Sequence, residues 1–265
     1  MILIVAAMEE ELKTCMDICR DVRRMPGADV PMRQGRTVAG IPIAFLRTGV
    51  GPEKSTARLR KALDWIDPEL MFIAGYAGAL DPGLKIGDLV VVTGARAFSL
   101  NRKHADWNNV EADALFDLTH VDKLMTENAA AGLSFFKGSI LSSRHILGNP
   151  KHKNLLFRRF QASVVDMETA FLVREATARE IPAGAIRVIS DTAQDSFLEP
   201  FERDPGLTLT DRARKLLRAA PVNSLREWKS RTATARDALR LFWEANIETI
   251  AKNMLAASRR PAPRL

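Results

Sequence analysis

Strand-sized apolar runs alternate with helical segments along the chain, and this alternation constrains the fold more than any other feature. The first run, ILIVAAM at 2–8, is continuously apolar, which is typical of a strand buried on both faces. The acid-rich segment that follows, 9–22, predicts a helix. Further strands are predicted at 41–49, 70–78, 85–93, 136–143, 163–167 and 184–190, and further helices at 52–66, 168–180 and 235–254. The alternation predicts an α/β fold whose mostly parallel or mixed sheet is covered by helices, with 94–118 as a long irregular segment.

The size and composition of the chain favour one large domain. The chain has 265 residues, and 46% of them are apolar, which is enough for one sizeable core. We therefore expect a single domain over 1–265. The longest apolar runs, such as 89–92, are far short of a membrane span, and the first residues lack the features of a signal peptide. Cys15 and Cys19 are too few for a disulfide framework. We therefore expect a cytoplasmic protein.

A net charge of +7 raises the question of an anionic partner. The basic residues are spread along the chain, apart from the end SRRPAPRL, and a single tyrosine offers little for stacking on bases. Nucleic acid is therefore not an expected partner. Trp228 and Trp243 could serve a membrane surface, but we favour a role in covering the core.

Polar residues and glycines follow the predicted strands at their carboxyl ends, where ligands collect in sheets of this kind. The segments at these ends are 8–11, 48–51, 75–78, 144–147, 166–168 and 190–191. They bring three groups of carboxylates, two glycine loops and several apolar side chains to one rim of the sheet. Such a set suits a polar, uncharged ligand with a flat apolar portion.

Ordinary structural roles compete for the same residues. Acids at 9–11 open a helix, where the helix dipole favours them in any case. Asp166, Glu168 or Asp191 could act as a helix cap, and Met167 or Tyr76 could belong to the core. The four histidines show no metal-ligand spacing, so no metal is expected. No motif supports a serine or cysteine nucleophile.

Five segments in fixed order carry a family resemblance: MILIVAAMEEEL, RTGVG, AGYAGALDPGLKIGDLVVV, SVVDMETAF and RVISDTAQD. Together they resemble the nucleoside phosphorylase/nucleosidase superfamily, most closely its methylthioadenosine/S-adenosylhomocysteine nucleosidase and hopanoid-associated nucleosidase branches. The resemblance covers residues 1 to about 200, and the remainder, about 205–265, looks like a helical C-terminal extension packed on that core. It implies a three-layer α/β/α sandwich around a mixed, partly closed sheet. It also implies a homo-oligomer, often a dimer, that cleaves a purine N-ribosidic bond without a metal or organic cofactor.

The resemblance also implies roles for individual residues. Asp191 matches the acid that protonates the leaving purine, and Glu11 matches the carboxylate that orients and deprotonates water. Glu168 matches the carboxylate that binds the ribose hydroxyls, with Met167 packed beside the sugar. Further substrate contacts are expected at Met8, Gly49, Val50, Tyr76, Ile146, Leu147, Arg187 and Ser190.

The nucleophile and the exact substrate stay open at this point. Three carboxylates in the first loop would repel phosphate, which favours hydrolysis, but Arg47 and Arg144 keep phosphorolysis as an alternative. Tyr76, Arg144 and Ile146 depart from the residues usual in the nucleosidases and alter the expected pocket walls. A lipid-linked adenosine such as adenosylhopane is therefore an alternative substrate. A nucleoside-binding protein without catalysis is a third possibility.

Overall fold

The computed structural model describes residues 1–99, 107, 110–118, 133–196 and 222–258, the last range with side chains at 230–253. The strands are β1 (Ile2–Ala6), β2 (Arg20–Arg24), β3 (Met32–Arg36), β4 (Pro42–Arg47), β5 (Leu70–Ala79), β6 (Leu89–Ser99), β7 (Glu111–Ala112), β8 (Phe116–Asp117), β9 (Phe135–Ser143), β10 (Val164–Asp166) and β11 (Ala183–Asp191). The helices are α1 (Glu9–Met16), α2 (Pro52–Leu63), α3 (Pro150–Phe160), α4 (Thr169–Thr177) and α5 (Val222–Ser258).

All strands of the described residues join one mixed sheet, which closes over part of its width. Strand β1 lies between β4 and β5 and is parallel to both, with Ile2 opposite Ile43 and Leu70. On the other side of β5 the order is β11, β6, β9 and β10. Strand β10 then pairs antiparallel with β5, so five strands form a ring while β1, β4, β3 and β2 extend from it. The expectation of a mixed, partly closed sheet is confirmed.

Helices cover both faces of the sheet because side chains alternate along each strand. In β1, Leu3 and Val5 face one core, to which α2 and α4 contribute their apolar sides. Ile2 and Ile4 face the opposite core, which is completed by α1 and α5. The three-layer α/β/α arrangement expected from the sequence is therefore confirmed. Within the described ranges, no helix combines the length and the apolar character that crossing a bilayer requires.

Several local predictions need correction. The helix predicted at 9–22 ends at Met16, and β2 follows from Arg20, with Asp21 (φ 56°) at an irregularity inside the strand. Strands β2 and β3 were not predicted because their sequences, RDVRR and MRQGR, are rich in arginine, and β2 is the exposed edge of the sheet. Helix α3 was not predicted either. Within 94–118, β6 continues to Ser99, and β7 and β8 form short pairs with it, so part of this segment is sheet, while 100–106, 108 and 109 lie outside the described residues.

The C-terminal helix α5 is anchored by large apolar side chains. Phe242 and Trp243 are fully buried, and the Trp243 ring lies 5.4 Å from the ring of Phe72 on β5. Trp243 therefore covers the core, as favoured above, whereas the side chain of Trp228 lies outside the described part of the chain, as do residues 259–265. The division of the chain at about residue 200 stays a prediction, as does its single-domain organisation.

Candidate active site

Glu11 is held by two backbone N–H groups at the carboxyl end of β1. The helix α1 begins directly after this strand, and Glu11 lies in its first turn. One carboxylate oxygen accepts from the Met8 N–H at 2.8 Å, and the other accepts from the Tyr76 N–H of β5 at 2.9 Å. Glu11 is buried, whereas Glu10 is exposed and Glu9 pairs with Arg33 at 2.7 Å. One acid of the three therefore points into the protein and is anchored there.

Glu168 meets the glycine loop that follows β4. It stands between β10 and α4, and its Oε1 accepts from the Gly51 N–H at 2.6 Å. Gly51 caps α2 with φ 95°, and Gly49 has φ 79°, so both glycines occupy backbone conformations that other residues rarely adopt. The loop at 48–51 thus turns its backbone toward the Glu168 carboxyl group.

Asp166 and Arg187 form a buried support beneath these groups. Oδ2 of Asp166 accepts from the Thr169 N–H at 2.9 Å and so caps α4. Helix capping was the structural alternative considered for this residue. The same oxygen accepts from Arg187 Nη2 at 2.7 Å, and the other accepts from the Ser142 hydroxyl at 2.5 Å. The Arg187 guanidinium is buried and also donates to the Thr169 hydroxyl. This network fixes the turn that presents Met167 and Glu168.

Asp191 ends β11 at an irregularity in the sheet. The register between β11 and β5 shifts between Ile189 and Asp191, and such a bulge redirects the side chain that follows it. Oδ1 of Asp191 accepts from the Ser190 hydroxyl at 2.9 Å. Oδ2 lies 2.5 Å from Nζ of Lys153, a fully buried residue of α3.

Strand β5 brings the three carboxyl groups to one place. A Cβ atom on Gly75 would lie 2.5 Å from Oε1 of Glu11 and 2.5 Å from Nη1 of Arg187, and one on Gly78 would lie 2.7 Å from Oδ2 of Asp191. Because a strand rises about 3.3 Å per residue, the two contact points are about 10 Å apart. Glu168 is close enough for the charge of Glu11 to act on it. Glu11 and Asp191 therefore border the same end of β5 with contact points about 10 Å apart, and Glu168 lies near Glu11.

The buried environment changes how two of these acids ionise. Burial raises the pKa of Glu11 to about 6, although the Arg187 guanidinium and the N–H groups of Tyr76 and Met8 act in the opposite direction. Burial, and next the charge of Asp166, raise the pKa of Glu168 to about 8. At pH 7 Glu11 is therefore mostly ionised, as a base must be. Glu168 mostly carries a proton, so it can both donate and accept hydrogen bonds.

Comparison with known proteins places the chain in a family. The sequence model of the phosphorylase superfamily matches residues 1–220.

The chain belongs to the phosphorylase superfamily.

Two related sequences are identical to this chain at about a quarter of the aligned residues. A 5′-methylthioadenosine/S-adenosylhomocysteine nucleosidase from Maridesulfovibrio salexigens is 24% identical over 199 residues, which cover 72% of this chain and 86% of that protein. A DeoD-type purine nucleoside phosphorylase from Streptococcus pyogenes is 25% identical over 175 residues, 66% of this chain and 73% of that protein. The solved structure of futalosine hydrolase from Helicobacter pylori superposes with a TM-score of 0.69 at 17% identity, over 95% of this chain and 97% of that one. The expected family and fold are confirmed.

The remaining residues that the resemblance singled out differ in how exposed they are to solvent. Those expected to touch substrate are mostly partly exposed at the strand ends: Met8, Gly49, Val50, Tyr76, Ile146, Met167 and Ser190. Leu147 is buried in the cluster around α3, and Arg187 is buried in the support network. We call these seven partly exposed residues the accessible layer, in contrast to the acids Glu11 and Glu168, which are buried. Arg187 contacts the acids rather than this accessible layer.

Arg47 and Arg144, the two arginines that left phosphorolysis as an alternative, each lie near a carboxylate. Nη1 of Arg47 lies 3.8 Å from Glu9, and Arg144 forms an ion pair with Glu53 while its guanidinium lies over the Phe171 ring. Within the described ranges, no three histidine, cysteine or carboxylate side chains come together in the way a metal ion would need.

Lys153 is the functional candidate that the sequence analysis missed. The segment 150–160 carries four lysines and arginines and one histidine, and these polar residues hid the apolar positions of a helix. A signal was nevertheless present in Asn149–Pro150, because asparagine favours the N-cap and proline the first helical turn. Asn149 indeed caps α3 by accepting from the Lys151 N–H at 2.9 Å.

Proposed function

We propose that this protein is a purine nucleosidase, which uses water to cleave the N-ribosidic bond of an adenine nucleoside and releases the free base. The observation that carries the proposal is the convergence of Glu11, Glu168 and Asp191 on one end of the sheet around β5. Relatives named as nucleosidases, at 24% identity over most of their length, support the same reaction class.

The three acids have separable tasks in this reaction. Breaking the bond between C1′ and N9 leaves positive charge on the ribose and an electron pair on the purine. Asp191 protonates the purine, and Glu11 takes a proton from the water that attacks C1′, in the manner of paired carboxylates in glycoside hydrolysis. Glu168 faces the ribose, where a protonated carboxyl group can both donate to one hydroxyl and accept from its neighbour. Met167, next to Glu168, packs against the sugar.

Water is the nucleophile we favour over phosphate. A phosphate dianion needs cationic side chains or free backbone N–H groups. Here Arg47, Arg144 and Arg187 each lie against a carboxylate, and the Gly51 N–H is bonded to Glu168. Phosphorolysis, the reaction named for the Streptococcus pyogenes relative, is the second candidate, supported by that 25% identity.

A base-release assay tests the proposal. The purified protein is incubated with adenosine, 5′-methylthioadenosine, S-adenosylhomocysteine and inosine, each in phosphate-free buffer and with phosphate added. We expect free adenine and free ribose without phosphate. Release that requires phosphate and yields ribose 1-phosphate would establish the phosphorylase instead. Binding without turnover of any nucleoside would leave a non-catalytic nucleoside-binding protein.

The group at the 5′ position of the substrate is the least constrained part of the proposal. The candidate pocket residues that depart from those usual in nucleosidases are Tyr76, Arg144 and Ile146, and Arg144 is paired with Glu53. A bulky or lipid-linked adenosine therefore belongs in the same screen. A kcat/KM that is higher for an alkylated 5′ substituent than for methylthioadenosine would indicate that branch.

We further propose that the protein acts as a homodimer in the cytoplasm. The family resemblance supports a dimer, and Trp65, which is 51% exposed, is a large apolar side chain available to such an interface. The unpaired thiols of Cys15 and Cys19 suit a reducing compartment. Sedimentation equilibrium is expected to give twice the chain mass of 29.4 kDa, and a monomeric mass at micromolar concentration would contradict the dimer.

A further inference from the structure

Lys153 is a lysine that the fold buries completely beside an acid of the proposed site. Lysine is almost never fully buried unless it is paired, because removing an ammonium from water is costly. Its neighbours on α3, Lys151 and Asn154, are exposed, whereas Lys153 has no exposed surface. Its Nζ lies 2.5 Å from Oδ2 of Asp191 and 2.7 Å from the carbonyl oxygen of Thr192.

The position of this ammonium is set by the packing of α3. Asn149 fixes the start of the helix, and Leu156, one turn after Lys153, is fully buried in the cluster that also contains Leu147 and Val165. The Trp107 ring stacks on His152 with 3.6 Å between ring centroids. The lysine side chain is thus directed inward by a helix held on several sides.

The two oxygens of Asp191 are consequently not equivalent. Oδ2 faces Lys153 and the backbone of Gly78, on the inner side. Oδ1 accepts from the Ser190 hydroxyl, whose residue is partly exposed at the strand end. The carboxyl group is held in one orientation, with Oδ1 as the oxygen nearer to the accessible layer.

We propose that Lys153 is a positioning residue that acts through Asp191, an inference that rests on the proposed nucleosidase function. As the bond between C1′ and N9 breaks, its electron pair goes to the purine, and the proton on Oδ1 of Asp191 moves to a ring nitrogen of the base. The carboxylate that forms is stabilised by the ammonium at Oδ2. Water supplies the new bond to C1′ and gives its proton to Glu11, and exchange with solvent restores both acids. The ammonium is already in place at Oδ2 when this charge develops, so no reorganisation is needed during the reaction.

A double-mutant cycle tests this role. The variants are Lys153→Met, Asp191→Asn and the combination, each assayed for kcat and KM of adenine release, with Lys151→Met as the matched control on the exposed side of α3. We expect Lys153→Met to lower kcat by about 10²-fold with KM changed by less than about threefold. In the Asp191→Asn background the same substitution should have little further effect on kcat, because residues that act as a unit are not additive. Lys151→Met should retain the wild-type kcat.

Different results would overturn the role of Lys153 and the proposed nucleosidase function. Wild-type protein that releases no base from any nucleoside would end the proposed function. An active wild type with unchanged kcat in Lys153→Met, or an equal loss from Lys153→Met in both backgrounds, would end the role of Lys153 alone. If Lys153→Met does not fold, Lys153→Gln, which keeps a hydrogen-bond donor without the charge, is assayed in both backgrounds against the same expectations.

Discussion

At the scale of single residues, Glu11 combines two tasks that the sequence presented as alternatives. It satisfies the Met8 N–H at the start of α1, as a capping acid does, and it is also buried against β5 beside Arg187. The acid-rich sequence EEE allowed either role for any of its three members. Only the packing of α1 against β5 decides which of them turns inward.

Replacing Glu11 by glutamine tests its role as a base. The amide keeps the size of the side chain but cannot accept a proton, so base release should fall by about 10²–10⁴-fold. In the wild type, kcat/KM should rise as the pH increases through about 6, since the pKa of Glu11 is raised to about 6 and the base works in its ionised form. The exposed neighbour Glu10, changed to glutamine, serves as the control and should keep the wild-type rate. A Glu11→Gln variant with full activity would remove Glu11 from the mechanism.

Glu168 predicts a pH dependence of folding stability. Its pKa is about 8 in the folded protein against an ordinary value of 4.5, so between these pH values the folded chain holds a proton that the unfolded chain has released. The free energy of unfolding of the wild type should therefore fall as the pH rises through this window. Since one pKa unit corresponds to about 1.4 kcal/mol, the full change across this window is on the order of 5 kcal/mol.

The Glu168→Gln variant should lack this fall, and urea denaturation at pH 5 and at pH 9 measures it. Glu111→Gln, at an exposed position of β7, is the control and should follow the wild type. Parallel pH curves for wild type and Glu168→Gln would show that the buried carboxyl does not hold its proton.

At the scale of the elements, the residues at the ends of β5 and β11 shape the proposed site more than the lengths of these strands do. The glycines of AGYAG were weak evidence in the sequence because glycines also occur in plain turns. In the structure, Gly75 and Gly78 leave the space that the Glu11, Arg187 and Asp191 side chains occupy. Such a role depends on contacts between residues more than 60 positions apart in sequence, which no local pattern encodes.

The Gly78→Ala variant tests whether Asp191 needs the space that the glycine leaves. A Cβ atom at residue 78 would lie 2.7 Å from Oδ2 of Asp191 and would force the carboxyl group to move. Because displacements of about 1 Å at a reacting group can cost about 10²-fold in rate, kcat for base release should fall by that order. Gly83→Ala, in the exposed turn before β6, is the matched control and should leave kcat unchanged. An unaltered kcat in Gly78→Ala would indicate that Asp191 is not used where it lies.

The elements that the sequence did not predict are those whose polar residues hide their pattern. The hairpin of β2 and β3 lies at one edge of the sheet. Charged residues there interrupt the alternation of apolar and polar residues that would indicate a strand. Helix α3 buries few residues, Lys153 and Leu156 among them, and its basic surface obscured both its helical period and its ion pair with Asp191. By contrast, the buried strands β1, β5 and β11 were predicted close to their observed bounds because burial on both faces demands continuous apolar runs.

At the scale of the whole molecule, the C-terminal helix is part of the core that supports the site. Helix α5 packs on α1 and β11, the elements that carry Glu11 and Asp191. Its apolar positions were evident in the sequence from their spacing of three and four residues. What they pack against could not be predicted, because helical period specifies a face and not its partner.

Trp243→Ala measures how strongly this helix contributes to stability. The side chain is fully buried, with ring centroids 5.0 Å from Phe242 and 5.4 Å from Phe72. Its removal should lower the free energy of unfolding by about 3–5 kcal/mol, from lost burial and the cavity left behind. Leu241→Ala, at a neighbouring position that is 44% exposed, should change it by less than about 0.5 kcal/mol. Equal effects in urea denaturation would mean that α5 does not pack as described.

The most direct test of the account is a crystal structure of the Glu11→Gln variant with 5′-methylthioadenosine, in which slow turnover preserves the nucleoside. We predict the ribose hydroxyls within hydrogen-bond distance of the Glu168 carboxyl group and a ring nitrogen of the adenine within the same distance of Asp191. A nucleoside bound elsewhere on the molecule, or one that touches neither acid, would contradict the account.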